Sequence, residues 1–175
     1  QWFDETGLPW VPTSPNLPHL STAVVYPGMC LLEGTNLSVG RGTALPFEIC
    51  GAPWVEGEAL AEALNALALP GVRFRPIDFA PTADRFASQL CAGVQVHVVD
   101  RSALRPVRLG LQVLAAVRAL HPDRVALNAH LDRLLGGPAV REALEAGRPA
   151  DAIAAGWSGA EAAFADARSE CLLYH

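Results

Sequence analysis

The chain has 175 residues, 51% of them apolar, and a formal net charge of −5. This composition suits one globular domain with a sizeable core and excludes a disordered chain. The acidic balance argues against nucleic acid as a partner, since phosphate binding needs a clustered basic surface. No apolar run approaches the ~18 residues needed to cross a bilayer, so a soluble domain with no membrane span is expected. The start, QWFDETGLPW, lacks a methionine and the basic-then-apolar pattern of a signal peptide. It reads as a fragment or a processed chain.

Residues 1–20 carry Pro9, Pro12, Pro15 and Pro18. Prolines this dense predict an extended segment lying over a surface, pinned by Trp2, Phe3 and Trp10, and acting as an interdomain linker. Residues 21–175 then form the domain proper. Thr22–Tyr26 and Met29–Leu32 read as short apolar runs split by a Pro27-Gly28 turn. After a long polar loop, Phe47–Val55 reads as strand-like. Leu60, Leu64 and Leu67 set a helix over Glu58–Leu69, stopped by Pro70-Gly71. Alternation predicts strands at Val72–Phe79 and Val94–Val99. Pro106 suits the first turn of a helix running to about Leu120. Beyond His121-Pro122, short helical patterns follow at Leu131–Leu135, Val140–Ala146, Asp151–Trp157 and Gly159 to about Cys171. The expected architecture is α/β, or α+β, with a mixed sheet in the first ~100 residues and a helical C-terminal part.

The loop within LLEGTNLSVGRGTALPFE, Leu31 to Glu48, is unusually rich in hydrogen-bonding groups. It is not a phosphate loop: Gly34 and Gly40 are separated by five residues and followed by Arg41-Gly42-Thr43, so spacing and cation both differ from the required pattern. Sugar recognition fits better. Thr35, Asn36, Ser38 and Thr43 offer mixed donors and acceptors, Arg41 a planar fork for a carboxylate, and Glu33 a base or acid if desolvated. The competing reading is a self-satisfied loop whose side chains cap its own backbone. Gln95 and His97 share one strand face, as a satisfied pair or as a polar floor for a ligand. Arg73 and Arg75 are expected to pair with Asp78 and Asp84 at the surface. Cys30, Cys50, Cys91 and Cys171 read as buried free thiols. No spacing suggests zinc, and no cofactor is implied.

The runs Pro15-Asn16, YPGMCLLEGTNLSVGRGTALPFEICGAPW, LPGVRFRPIDFAPTA and CAGVQVHVVD, continuing through Leu172-Leu173-Tyr174, resemble the C-terminal domain of the exo-β-N-acetylmuramidase (NamZ-type) glycoside hydrolases. Met29 and Cys171 are mild departures. The resemblance implies a two-domain enzyme releasing N-acetylmuramic acid from the non-reducing end of peptidoglycan fragments. Its active site would lie in a cleft between this domain and a Rossmann-like N-terminal domain. The principal catalytic carboxylate is expected in that other domain, with Glu33 as a catalytic candidate here. Asn36, Ser38, Arg41, Thr43, Gln95 and His97 match the family pattern as candidate substrate-binding residues, and the lactyl carboxylate of muramic acid gives Arg41 a role. The implied partners are the muramyl sugar and the N-terminal domain. Cell-wall chemistry points to secretion or the periplasm, and a recycling role to the cytoplasm. The alternative is a non-catalytic carbohydrate-binding or structural accessory domain.

Overall fold

The computed structural model describes residues 1–172. Its elements in chain order are α1 (Leu20–Met29), β1 (Ile49–Ala52), α2 (Gly57–Ala66), β2 (Val72–Phe79), β3 (Cys91–Val98), α3 (Pro106–Leu120), α4 (Ala129–Leu134), α5 (Ala139–Glu145), α6 (Ala150–Ala155) and α7 (Ser158–Ser169). The α/β class holds, and strands precede Asp100 while helices dominate after Arg105. The sheet is antiparallel throughout rather than mixed, in the order β1-β3-β2.

The strand predicted at Val72–Phe79 is β2, and the helix from Pro106 is α3, with proline at its first turn where its missing N–H costs nothing. Along β2 and β3, Val72, Phe74, Val94 and Val96 point into the main core with Leu60 and Leu64 of α2 and Leu111, Val113 and Leu114 of α3. Leu67, placed on the apolar stripe by its spacing, lies beyond the end of α2 and is exposed.

Pro27-Gly28 is not a turn, because α1 runs through both residues and passes into a 3-10 segment at Cys30–Gly34. The proline sits inside α1, in its last turn, where it can donate no backbone hydrogen bond. Gly28 serves a long-range purpose. A Cβ on Gly28 would overlap the carbonyl of Pro106, and one on Gly110 would overlap the carbonyl of Gly28. The α1 and α3 backbones therefore touch at a glycine–glycine crossing, and Val25, Met29, Leu109 and Val113 close around it.

The proline-rich segment is held to the domain. Arg101 Nη1 donates to both carboxylate oxygens of Asp4 (2.5 and 2.6 Å), and its Nη2 donates to Glu5 (3.0 Å). The same guanidinium lies 4.8 Å from the Trp2 ring centroid. Hydrogen bonding to Arg101 holds the Asp4 carboxyl below its ordinary range. Trp10 Nε1 donates to Pro18 O (2.9 Å), and Phe3 meets Trp10 edge-on.

All four cysteines are unpaired; Cys50 and Cys91 are buried as expected, but Cys30 is only partly buried, and Cys171 is exposed because it follows α7, a helix that buries no residue. Burial pushes the Cys50 thiol up to about 12. In the native protein a thiol reagent should label Cys171 rapidly, and Cys50 should react only after unfolding.

The glycine crossing predicts that Gly110→Ala destabilises the domain by about 1–3 kcal/mol or more, since rigid backbone must move apart. Gly159→Ala, where a Cβ meets nothing within 4 Å, should be neutral or slightly stabilising. Equilibrium urea unfolding of both variants checks this; equal behaviour would remove the crossing as a constraint.

Candidate functional site

The polar loop is built on its own side chains. Thr35 Oγ1 donates to Leu32 O (2.6 Å) and accepts from Leu37 N (3.0 Å). Thr43 repeats the arrangement, donating to Gly40 O (2.6 Å) and accepting from Leu45 N (3.1 Å). Ser38 Oγ accepts from Gly40 N (3.2 Å), while the Ser38 backbone pairs with Gly51 in both directions (2.8 and 3.1 Å). Asn36 reaches across to the α3–α4 connection: its Nδ2 donates to Arg124 O (2.8 Å), and its Oδ1 accepts from Ala126 N (3.0 Å). Glu48, at the loop's end, accepts from the hydroxyls of Ser21 (2.9 Å) and Thr22 (2.7 Å) and so ties the loop to the start of α1. Leu37, Ser38 and Val39 are buried, and a buried loop must pair its peptide groups.

Glu33 and Arg41 stand apart from this framework. Arg41 donates to Glu33 Oε1 through Nε (3.1 Å) and Nη2 (2.7 Å). Its Nε also lies 3.7 Å from Asp84 Oδ2, and its guanidinium is 5.0 Å from the centroid of Phe47. Phe47 holds this position at φ 62° and meets Tyr26 edge-on at 4.8 Å. Beside the pair opens a cleft of about 180 Å³, lined by Glu33, Leu37, Val39, Asp84, Arg85 and His130. Asp84, Arg85 and His130 were not read as site residues from the sequence. Asp84 faces Arg41 rather than the expected Arg73 or Arg75.

Two glycines assemble the cleft. At Gly34 a Cβ would lie 2.5 Å from Leu131 Cβ, so α4 packs directly on the 3-10 segment. Gly34 O accepts from Asn128 N (2.9 Å), and the Asn128 side chain caps α4 by accepting from His130 N (2.8 Å). That contact brings His130 to the Glu33 side. At Gly42, φ 78°, a Cβ would lie 2.5 Å from Ala83 N, and Gly42 O accepts from both Thr82 N (2.9 Å) and Thr82 Oγ1 (2.8 Å). The β2–β3 loop is thereby clasped to the glycine-rich loop.

Gln95 and His97 share the outer sheet face, as alternation predicted. The register sets Gln95 between Ile49 and Arg75, and His97 opposite Arg73. Gln95 Oε1 accepts from Arg75 Nε (2.9 Å) and Nη2 (2.6 Å), so Arg75 pairs with an amide and not with Asp78 or Asp84. Gly40 packs on Ile49, which puts the glycine-rich loop on this face next to Gln95, with exposed His97 a further step away along β3.

A family model described as the C-terminal part of the exo-β-N-acetylmuramidase NamZ matches residues 24–174. The chain belongs to this family. Over 174 residues it is 39% identical to the peptidoglycan β-N-acetylmuramidase NamZ of Bacillus subtilis (strain 168), covering 98% of this chain and 42% of that protein. A solved DUF1343 family protein from Bacteroides fragilis NCTC 9343 superposes with a TM-score of 0.91 at 32% identity, over 99% of this chain and 47% of that one. A second from the same organism gives 0.66 at 28%, over 94% and 44%. The chain spans less than half the length of these relatives. Leu173 and Tyr174, part of the motif resemblance, lie outside the described residues.

Burial raises the Tyr26 hydroxyl above its ordinary range, reinforced by Cys30 and Glu33 and offset by Arg41. Burial, then Glu33, raises the Cys30 thiol likewise. Both groups are therefore protonated at neutral pH and neither is an activated nucleophile. Among the described residues no cluster of three or more His, Cys, Asp or Glu is placed to hold a metal ion.

The framework geometry makes Asn36 a test of the loop. Asn36→Ala removes two hydrogen bonds that join the loop to the α3–α4 connection, and should cost about 1–3 kcal/mol in urea unfolding. Asn36→Asp keeps the acceptor but sets a carboxylate against Arg124 O, so it should recover none of that loss. A variant as stable as wild type would show that the loop does not rely on this bridge.

Proposed function

We propose that the chain is the substrate-binding half of a peptidoglycan exo-β-N-acetylmuramidase that releases N-acetylmuramic acid from the non-reducing end of cell-wall fragments. In this reading the Glu33–Arg41 cleft forms one wall of the active site, and a separate N-terminal domain supplies the principal catalytic carboxylate. The observation that carries it is the family match over residues 24–174, together with relatives more than twice as long as the chain.

The side chains divide accordingly. Glu33 accepts two hydrogen bonds from Arg41 on one oxygen, so it acts as a positioning residue that fixes the guanidinium. Thr35, Asn36, Ser38 and Thr43 shape the loop through backbone bonds already formed. Gln95 and His97 supply a polar strip beside it on the sheet face. The proline-rich segment, fastened at Arg101, joins the two domains and limits how far they separate.

Glycosidic cleavage normally needs two positioned carboxylates flanking the bond. The 175-residue chain by itself should therefore release no N-acetylmuramic acid from a chromogenic muramide, while the full-length protein does so. In the full-length protein Glu33→Gln should lower kcat/KM by about 10-fold or less through a loosened Arg41. Turnover by the chain alone would overturn the division of labour. A loss of about 1000-fold or more in kcat at unchanged KM, with an unaltered melting temperature, would instead make Glu33 a catalytic residue.

A further inference from the structure

We infer that Arg85, and not Arg41, is the residue that grips the carboxylate of a carboxylated sugar in this cleft; this assignment rests on the muramidase reading. The two guanidiniums differ in what already surrounds them. Arg41 spends Nε and Nη2 on Glu33, has Asp84 3.7 Å from Nε, and lies against the Phe47 ring. With two carboxylates about one guanidinium, that corner of the cleft already carries an excess negative charge. A third carboxylate there would meet repulsion.

Arg85 lines the same cleft and makes no hydrogen bond or ion pair among the described residues. All five of its donors are available, in the fork that matches a carboxylate. Its placement is nonetheless set by the backbone. Asp84 (φ 66°) and Phe86 (φ 61°) flank it in the left-handed region, as does Ser88 (φ 62°) further on, where side-chain-bearing residues are strained. Three such residues at alternate positions persist only when the surroundings impose them, and such strain gathers at ligand clamps. The surroundings here are specific. Thr82 is double-bonded to Gly42 O, Ser88 N donates to Pro81 O (2.8 Å), and Phe86 packs against Ile49, Phe79 and Cys91 on the outer sheet face. The loop is anchored on both sides of Arg85, an exposed residue that lines the cleft.

His130 is the second polar group without a side-chain partner among the described residues there, and its imidazole can donate to a ligand hydroxyl or acetamido oxygen. The cleft thus offers a ligand one guanidinium that makes no ion pair among the described residues and one imidazole without a side-chain partner. A sugar with a carboxylate substituent meets that pattern, and its neutral counterpart uses only half of it.

The test uses the full-length protein and two competing ligands, N-acetylmuramic acid and its methyl ester, in which one methyl group removes the carboxylate charge. Inhibition constants are measured for wild type, Arg85→Ala, Arg85→Lys and Arg41→Ala. Arg85→Ala should weaken the acid about 10- to 100-fold and leave the ester within about 3-fold, the loss typical of a hydrogen bond to a charged group. Arg85→Lys should recover part of the difference, since an ammonium keeps charge but not the fork. Because Arg85 has no partner to lose, its melting temperature should stay at the wild-type value, whereas Arg41→Ala should lower it and weaken both ligands alike. Preference for the acid that survives Arg85→Ala, or that vanishes in Arg41→Ala alone, overturns the assignment and leaves the muramidase reading standing. A wild-type protein that binds neither sugar removes both.

Discussion

A buried loop has to find partners for its own peptide groups, and the run from Thr35 to Glu48 meets that constraint with side chains. Each of its short polar residues accepts or donates within hydrogen-bond distance of main chain nearby or across the fold, and Glu48 closes the run by holding two hydroxyls of α1. Without these bonds the unpaired amides and carbonyls would need water, and the loop could not sit against β1 and the core. The polarity of the motif is thus first a condition of folding. Only then can Glu33 and Arg41, which take no part in this pairing, be presented in a fixed relation to one another.

Rigidity spreads from that loop by close backbone approach. Gly34 admits α4, Gly40 admits Ile49, and Gly42 admits the β2–β3 loop. Each contact is one that a methyl group would prevent, and together they gather the cleft from three separated stretches of chain. The same device recurs on the core side, where Gly28 and Gly110 let α1 and α3 meet. Positioning by contact of this kind suits a binding wall, because a ligand then finds its partners already oriented.

The two faces of the sheet are put to different use. The inner face packs valines and Phe74 into the main core. On the outer face the apolar end, Ile49, Phe79 and Cys91, lies beneath Leu45 and Phe86 from the two clasped loops, while the other end leaves Arg73, Arg75 and His97 in solvent. The boundary falls at Gln95, buried yet satisfied by Arg75. Cleft and polar strip therefore adjoin one another on a single side of the domain.

Local chemistry alone determined β2, β3, α2 and α3 to within a few residues. Alternation and 3.6-residue periodicity are properties of consecutive side chains, and Pro106 marks a helix start wherever it stands. The motif around Glu33 to Thr43 likewise identified the family, since its long run of residue types is specific in order. What only the tertiary structure decided were the partners. Pro27-Gly28 reads locally as a turn, and packing against Pro106 and Gly110 makes it helix. Arg75 had acidic candidates close in sequence, and antiparallel register gave it Gln95 instead. His130 and Arg85 carry no local signal at all, because they come to the cleft lined by Glu33 through a helix cap on Gly34 and a strained loop clasped at Gly42. Such contacts depend on distances between remote segments, and these exist only once the chain has folded.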